Sequence, residues 1–246
     1  MLPTTSTSPI LPRPTRMSSR SCTMLAAATF SSMTPTLLVS FATIPWQWWN
    51  NRLTNADFCS EKMLAGWKED PLNIHSADEV FQKYIKLYND LLSKRPADFH
   101  VGVHICRGNF VGSRHFSEGG YDRIATKLFQ ELNVDTYYLE YDTPRAGGFE
   151  PLKELPKHKN VILGVVTSKF PELEDKEEMK KRVYDAAKFI AEGNNISVEE
   201  ALDQVGVSPQ CGFASHREGN AIDRTGMINK LKLVREIAND IWPGQL

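Results

Sequence analysis

Along residues 57–246, short apolar stretches alternate with longer stretches in which apolar residues recur every three or four positions. The apolar stretches have the composition of buried strands and cover residues 100–105, 134–142, 160–167 and 205–213. The longer stretches are typical of helices and cover residues 57–68, 76–94, 118–132, 147–155, 172–193, 197–204 and 223–241. Apolar strands that alternate with helices predict an α/β fold, in which helices cover a parallel sheet.

Local signals also predict helix ends and inward faces. Ser76 and Ser197 each stand three residues before a glutamate, which is the arrangement of a capping box. The helix at 76–94 is predicted to bury an apolar stripe formed by Val80, Tyr84, Leu87 and Leu91. The helix at 172–193 is predicted to face inward with Ala186, Ala187 and Ile190.

Residues 1–56 have a different composition. They contain no Asp, Glu or Lys, and Ser, Thr and Pro dominate. An acid-free N-terminus rich in Arg and Ser is typical of a mitochondrial transit peptide, but the prolines oppose the amphipathic helix that such peptides form. We therefore expect two regions, an irregular, non-native or disordered segment at 1–56 and a globular domain at 57–246.

Charge and cysteine content narrow the class of protein. The net charge is -1 and no Lys/Arg cluster is present, which argues against a nucleic-acid partner. No apolar run approaches the roughly 20 residues of a membrane span. The four scattered cysteines do not suit a disulfide framework and favour a reducing compartment, the cytoplasm rather than the mitochondrion. The sequence gives no indication of oligomeric state.

Residues with metal-ligand chemistry lie near the predicted strand ends. His104 and Cys106 are two positions apart, so an extended chain directs both side chains to one face. Glu140 and Cys211 fall near the ends of the second and fourth strands, and the carboxyl ends of parallel strands meet at one edge. One imidazole, one carboxylate and two thiolates form a credible tetrahedral Zn²⁺ set. The alternatives are a core histidine, buried cysteines, and a glutamate that caps a helix or faces solvent.

The charge of this ligand set indicates its chemistry. Two thiolates and one carboxylate around Zn²⁺ give a net charge of about -1, which makes the ion a poor generator of hydroxide. Such an ion suits the binding of a substrate thiol as a nucleophilic thiolate. The set therefore favours alkyl transfer to sulfur over hydrolysis.

Three motifs resemble the catalytic domain of cobalamin-independent methionine synthase: His-Ile-Cys-Arg-Gly-Asn at 104–109, Tyr-Tyr-Leu-Glu-Tyr-Asp at 137–142, and Ser-Pro-Gln-Cys-Gly-Phe at 208–213. The resemblance covers about residues 57–246, in the right order, and extends to short single-domain homologues of fungi and bacteria. It implies a (β/α)₈ barrel that transfers a methyl group from 5-methyltetrahydrofolate to homocysteine. It also implies a zinc ion held by His104, Cys106, Glu140 and Cys211.

The third strand departs from the family pattern. There the family has an Asp-x-His that supplies a proton to the folate, whereas this chain has Thr167, Ser168 and Lys169. We predict Lys169 to be the proton donor. A different methyl donor and a surface lysine without a catalytic role are the alternatives.

The family's first half-barrel is absent from the chain as written. That half contains a strand ending in Asp-Asp-Pro or Asp-Glu-Pro, which holds the substrate amino group. When each codon of residues 21–35 is shifted back by one base, codon degeneracy permits Leu-Val-His-Asp-Ala-Gly-Cys-Arg-Asn-Ile-Gln-Phe-Asp-Asp-Pro. Residues 41–51 likewise permit Phe-Cys-Asp-Asp-Ser-Met-Ala-Met-Val-Glu-Gln. We therefore expect a truncated or frame-disrupted N-terminus and a partial TIM-type barrel formed by the C-terminal half.

The leading hypothesis is a zinc-dependent methyltransferase that acts on homocysteine and a methyl-folate. One alternative is alkyl transfer to another thiol. A second is an inactive remnant, because half a barrel leaves edge strands and apolar faces uncovered. A third is a barrel of the uroporphyrinogen decarboxylase type, against which the two cysteines argue.

Overall fold

The computed structural model describes residues 65–66, 68–115, 119–214 and 217–244. Its regular elements follow the chain in the order α1 (Ala77–Leu92), β1 (Gly102–Ile105), α2 (Ala125–Glu131), β2 (Thr136–Glu140), β3 (Asn160–Val166), α3 (Lys176–Asn194), α4 (Val198–Leu202), β4 (Val205–Pro209) and α5 (Arg224–Ile241). Short 3₁₀ helices cover Val111–Ser113, Pro144–Ala146 and Glu150–Glu154. The segment predicted at 1–56 and most of the helix predicted at 57–68 lie outside the described residues.

The four described strands form one parallel sheet in the order β1-β2-β3-β4. One row across the sheet pairs His104 with Tyr138, Tyr138 with Ile162, and Ile162 with Gly206. Sequential strands in spatial order are the topology of a (β/α) barrel, of which four strands form half. The predicted fold class, a partial TIM-type barrel, is confirmed.

The two faces of the sheet have different surroundings. The face that packs on the helices contributes to the core with Val103, Leu139, Val161, Leu163 and Val165, together with the α3 residues Val183, Ala186, Ala187 and Ile190. The inward face of α3 is therefore as predicted. On the opposite face, the row from His104 to Gly206 is only partly buried. This is the face that a complete barrel encloses.

Helix α1 begins as predicted but buries a different face. The Ser76 side chain accepts a hydrogen bond from the Glu79 N–H, and the Glu79 carboxylate accepts one from the Ser76 N–H. The predicted stripe is wrong, because Leu87 and Leu91 are 47% and 60% exposed. The buried residues are Ala77, Phe81 and Ile85. The helix has two apolar stripes, and packing against the core selects the second one.

Helix α2 is shorter than the predicted helix at 118–132. The chain passes through Gly119, with φ of 112°, and a turn that contains Tyr121 before α2 begins at Ala125. This turn brings Tyr121 under the sheet's carboxyl edge, where only 1% of it is exposed. Among the helices within the described ranges, none has the length and apolarity needed to cross a membrane.

Candidate metal centre

Four side chains predicted as metal ligands meet at the carboxyl edge of the sheet. One ligand atom from each of His104, Cys106, Glu140 and Cys211 lies within 4.8 Å of every other. The two Sγ atoms are 3.6 Å apart, and His104 Nε2 is 4.0 Å from Glu140 Oε1. Cys106 directly follows β1, Glu140 ends β2 and Cys211 lies just beyond β4.

A glycine in β3 lets the chain after β4 approach this group. Gly164 is in register with Glu140 on one side and Ser208 on the other. A Cβ atom at Gly164 would lie 2.6 Å from the Cα of Gln210, which is closer than real Cβ atoms approach. Glycine is therefore required for the segment that leads to Cys211 to pass so close to β3.

The imidazole of His104 is oriented by the backbone. Its Nδ1 lies 3.0 Å from the Tyr138 carbonyl oxygen. Because a carbonyl only accepts, Nδ1 must carry the proton, and the neutral ring then presents the lone pair of Nε2. Nε2 is buried and has no hydrogen-bond partner. Burial opposes charging of the ring, but the neighbouring Cys106 and Glu140 outweigh it and raise the pKa of His104.

Glu140 combines one anchored oxygen with one unpaired oxygen. Its side chain has no exposed surface, and Oε2 accepts a hydrogen bond of 3.3 Å from the Arg145 guanidinium. Oε1 is buried without a hydrogen-bond partner. Burial raises the pKa of Glu140, while Arg145 and His104 oppose that rise. An unpaired buried carboxylate oxygen is costly, and a cation beside it removes that cost.

The two thiols are free and are hydrogen-bonded to each other. No disulfide joins Cys106 and Cys211, but their Sγ atoms are within hydrogen-bond distance. This bond and burial raise the pKa of Cys106, whereas the same bond lowers the pKa of Cys211. The Gly108 N–H also donates to the Cys106 sulfur over 3.3 Å. With the unpaired nitrogen and carboxylate oxygen, the sulfurs complete a donor set that suits Zn²⁺.

Lys169, the predicted proton donor, lies beside this group and is only 2% exposed. The alternative of a surface lysine is therefore wrong. Its ammonium donates to Gly108 O at 3.0 Å, to Asn109 Oδ1 at 3.2 Å and to Arg114 O at 3.4 Å. Burial, and next the charge of Arg145, lowers the pKa of Lys169. Proton donation by Lys169 stays a prediction.

The family described as "Cobalamin-independent synthase, Catalytic domain" matches residues 97–239, more than half of the chain. The chain belongs to this family. The family predicted from the three motifs is thus confirmed, and the alternative of a uroporphyrinogen decarboxylase-type barrel is wrong.

The chain is also similar to two uncharacterized proteins of Bacillus subtilis (strain 168). YxjG is 44% identical over 188 residues, and YxjH is 42% identical over 160 residues. These matches cover 76% and 65% of this chain but only 46% and 40% of the relatives. The chain therefore spans less than half the length of the curated relatives that it matches.

The fold also matches a solved structure. A B12-independent methionine synthase from Shewanella sp. W3-18-1, in complex with selenomethionine, aligns with a TM-score of 0.51 and 20% identity. The alignment covers 67% of this chain and 44% of that one. At this identity the match shows a shared fold.

Two residues that support the ligands, Arg145 and Tyr121, were not predicted from the sequence. Arg145 links the carboxylates of Glu140 and Asp142, the latter over 2.8 Å. The Tyr121 hydroxyl donates to the Glu140 carbonyl at 3.3 Å and accepts from the Glu140 N–H at 3.0 Å. A basic residue five positions after Glu140 was the available signal for Arg145. Tyr121 gave no signal, because its position depends on the turn before α2.

Proposed function

We propose that this chain carries the metal centre of a zinc-dependent methyltransferase of the cobalamin-independent methionine synthase type. The reaction moves a methyl group from 5-methyltetrahydrofolate to the thiol of homocysteine, in methionine biosynthesis. The observation that carries the proposal is the convergence of four ligand side chains, two of which have a buried ligand atom without a hydrogen-bond partner. Membership in the synthase family supports the same class of reaction.

The ligands would be His104, Cys106, Glu140 and Cys211. When bound, Zn²⁺ lowers the pKa of an incoming thiol and keeps it as a reactive thiolate. The chain's own groups orient the ligands, since the Tyr138 carbonyl fixes the His104 tautomer and Arg145 anchors one oxygen of Glu140. The absence of exposed surface on Glu140 keeps water from that carboxylate.

The proposed transfer is a displacement at the methyl carbon. The substrate sulfur forms a bond to this carbon while the bond from the carbon to the folate nitrogen breaks, and that nitrogen takes up a proton. Alignment of the two reactants supplies much of the acceleration of such reactions. Lys169 is one candidate source of the proton, and its position beside the group is compatible with that role.

A second candidate function is an inactive chain in which the metal is structural or absent. It is supported by the four-stranded sheet, whose row from His104 to Gly206 is only partly covered by the described residues. Transfer to a thiol other than homocysteine is the remaining alternative within the same chemistry. An assay with several thiols and methyl-folate separates these alternatives once the metal content is known.

Elemental analysis of the purified full chain tests the proposal. We expect about one zinc per chain in the wild type, a reduced zinc content in Cys211→Ser, and no reduction in Cys59→Ser, which removes a cysteine outside the proposed set. Methyl transfer to homocysteine should follow the zinc content. A folded wild type without zinc, or loss of zinc in Cys59→Ser, would overturn the proposed metal centre.

A further inference from the structure

The two thiols come from strands that are not neighbours. Cys106 follows β1 and Cys211 follows β4, and two strands separate β1 from β4 in the sheet. Backbone pairing between these strands therefore does not set the 3.6 Å distance between the sulfurs. The contacts between the loops after β1, β3 and β4 must do so.

The first contact joins Lys169, in the loop after β3, to the turn that follows Cys106. Gly108 has φ of 99°, a conformation that favours glycine, and both of its backbone polar groups are hydrogen-bonded. Its N–H donates to the Cys106 sulfur at 3.3 Å, and its carbonyl accepts from Lys169 Nζ at 3.0 Å. Lys169 thus fixes the turn that contacts the first thiol.

The second contact runs from the same lysine to the residue after Cys211. Asn109 Nδ2 donates to the Gly212 carbonyl at 2.7 Å. Its Oδ1 accepts from Lys169 Nζ at 3.2 Å and from Asn220 Nδ2 at 2.8 Å. These bonds leave Asn109 a single orientation, because its amide must donate on one side and accept on the other.

We propose that Lys169 is a positioning residue that, through Asn109 and Gly108, holds the two thiols at the spacing a metal ion requires. We call Lys169 and Asn109 the loop clamp. The proposal rests on the proposed function for the identity of the metal. It differs from proton donation, because the three N–H donors of the buried ammonium already have acceptors in Gly108, Asn109 and Arg114.

Zinc affinity and cobalt absorption of the full chain test the loop clamp. Lys169→Met removes the ammonium, and Asn109→Asp keeps an acceptor for Lys169 but loses the donor to Gly212. We expect both to weaken zinc binding, measured against a chromophoric chelator, by about 10- to 100-fold. The thiolate-to-metal absorption of the Co²⁺-loaded protein should change as well.

The matched control is Lys159→Met. Lys159 is also buried, and its ammonium donates to the carbonyls of Phe129 and Leu132, at the opposite end of the sheet. Loss of this ammonium should leave zinc affinity and cobalt absorption unchanged. Equal weakening in Lys159→Met and Lys169→Met would mean a general loss of packing and would overturn the loop clamp.

A metal-independent measurement separates this proposal from the proposed function. Phenylarsine oxide condenses with two adjacent thiols, forming two As–S bonds and releasing one water. In a Cys22→Ser, Cys59→Ser background, we expect the wild-type loops to capture it and Lys169→Met to capture it more weakly. If the wild type binds no zinc but captures the arsenical more strongly than Lys169→Met does, the proposed function is overturned and the clamp is supported. Lys169→Met could also match the wild type in zinc affinity, cobalt absorption and arsenical capture and lose only methyl transfer. That result would overturn the clamp in favour of proton donation.

Discussion

The two ends of the sheet differ in whether their polar groups have hydrogen-bond partners. At the amino end, Asp135 accepts from the Val101 N–H at 2.7 Å and from both Arg95 terminal nitrogens. At the carboxyl end, buried side-chain atoms without a hydrogen-bond partner occur in His104, Arg107, Glu140, Tyr141, Arg145 and Gln210. No other such atom occurs in the described ranges of the chain.

This contrast separates stability from function. Buried polar atoms are normally paired, and an end that pairs them serves the fold. An end that leaves six of them unpaired carries a cost, which a bound ligand can remove. We therefore expect changes at the amino end to lower stability without altering metal binding. Changes at the carboxyl end should weaken metal binding without lowering stability.

The largest expected effect is that of Glu140→Leu. Zinc binding should be lost, because the variant lacks one ligand and keeps no substitute oxygen. The free energy of unfolding of the metal-free protein should not fall, since Arg145 retains Asp142 as its partner at 2.8 Å. Chelator competition and urea unfolding measure the two quantities. A loss of more than about 2 kcal/mol in the metal-free variant would show that Glu140 serves the fold.

Arg145→Met should have the next largest effect. Glu140 Oε2 then loses its anchor, and we expect zinc affinity to fall by about 10- to 100-fold, as for other groups that orient metal ligands. The control is Arg123→Met, which removes an arginine paired with Asp78 on the surface. That variant should bind zinc like the wild type. An equal loss in both variants would contradict the orienting role of Arg145.

At the amino end, Asp135→Asn should lower the free energy of unfolding by about 1–3 kcal/mol. The change weakens the bonds from Arg95 and leaves the Val101 N–H with a poorer acceptor. Zinc affinity should not change, because the site lies at the other end of β2. Weaker zinc binding in this variant would remove the distinction between the two ends.

The stability difference between the wild type and Asp135→Asn should depend on pH. Burial opposes ionisation of Asp135, but the hydrogen bonds from Arg95 and Val101 outweigh it and lower its pKa below the ordinary value of 3.8. The folded state therefore binds this proton less readily than the unfolded state, and the stabilisation is fully present above pH 3.8. The advantage of the wild type over Asp135→Asn should shrink as the pH falls below that value. A constant advantage in acid would contradict the assignment.

The smallest expected effect is on the exposed side of α1. Leu91 is 60% exposed, so Leu91→Ser should change the free energy of unfolding by no more than about 0.5 kcal/mol. Ile85, on the buried face, is 3% exposed, and Ile85→Ala should cost about 2–5 kcal/mol. Thermal or urea unfolding of the two variants compares the faces directly. A larger loss in Leu91→Ser would reinstate the stripe predicted from the sequence.

The sequence predicted the ligand group because its signals are local. The strand that contains His104 and the motifs around Glu140 and Cys211 can be recognised without knowledge of packing. In parallel sheets, strand ends meet at one edge, so the four residues could be expected to converge. The structure brings their ligand atoms within 4.8 Å.

The supporting contacts depend on tertiary structure and could not be predicted in this way. Lys169 and Asn109 are hydrogen-bonded although they are 60 positions apart in the sequence. The periodicity of apolar residues cannot predict such a pair. The same limit explains the wrong stripe on α1, where two apolar faces have similar spacing and only the core distinguishes them. The predicted regions at 1–56 and 57–246 remain predictions, as does a cytoplasmic location.

X-ray absorption at the zinc edge tests the central claim most directly. The full chain loaded with one equivalent of zinc should show two sulfur neighbours at about 2.3 Å and two nitrogen or oxygen neighbours at about 2.0–2.2 Å. In Cys211→Ser one sulfur should be lost. A wild-type spectrum with nitrogen and oxygen neighbours alone, or one that is unchanged in Cys211→Ser, would contradict the account.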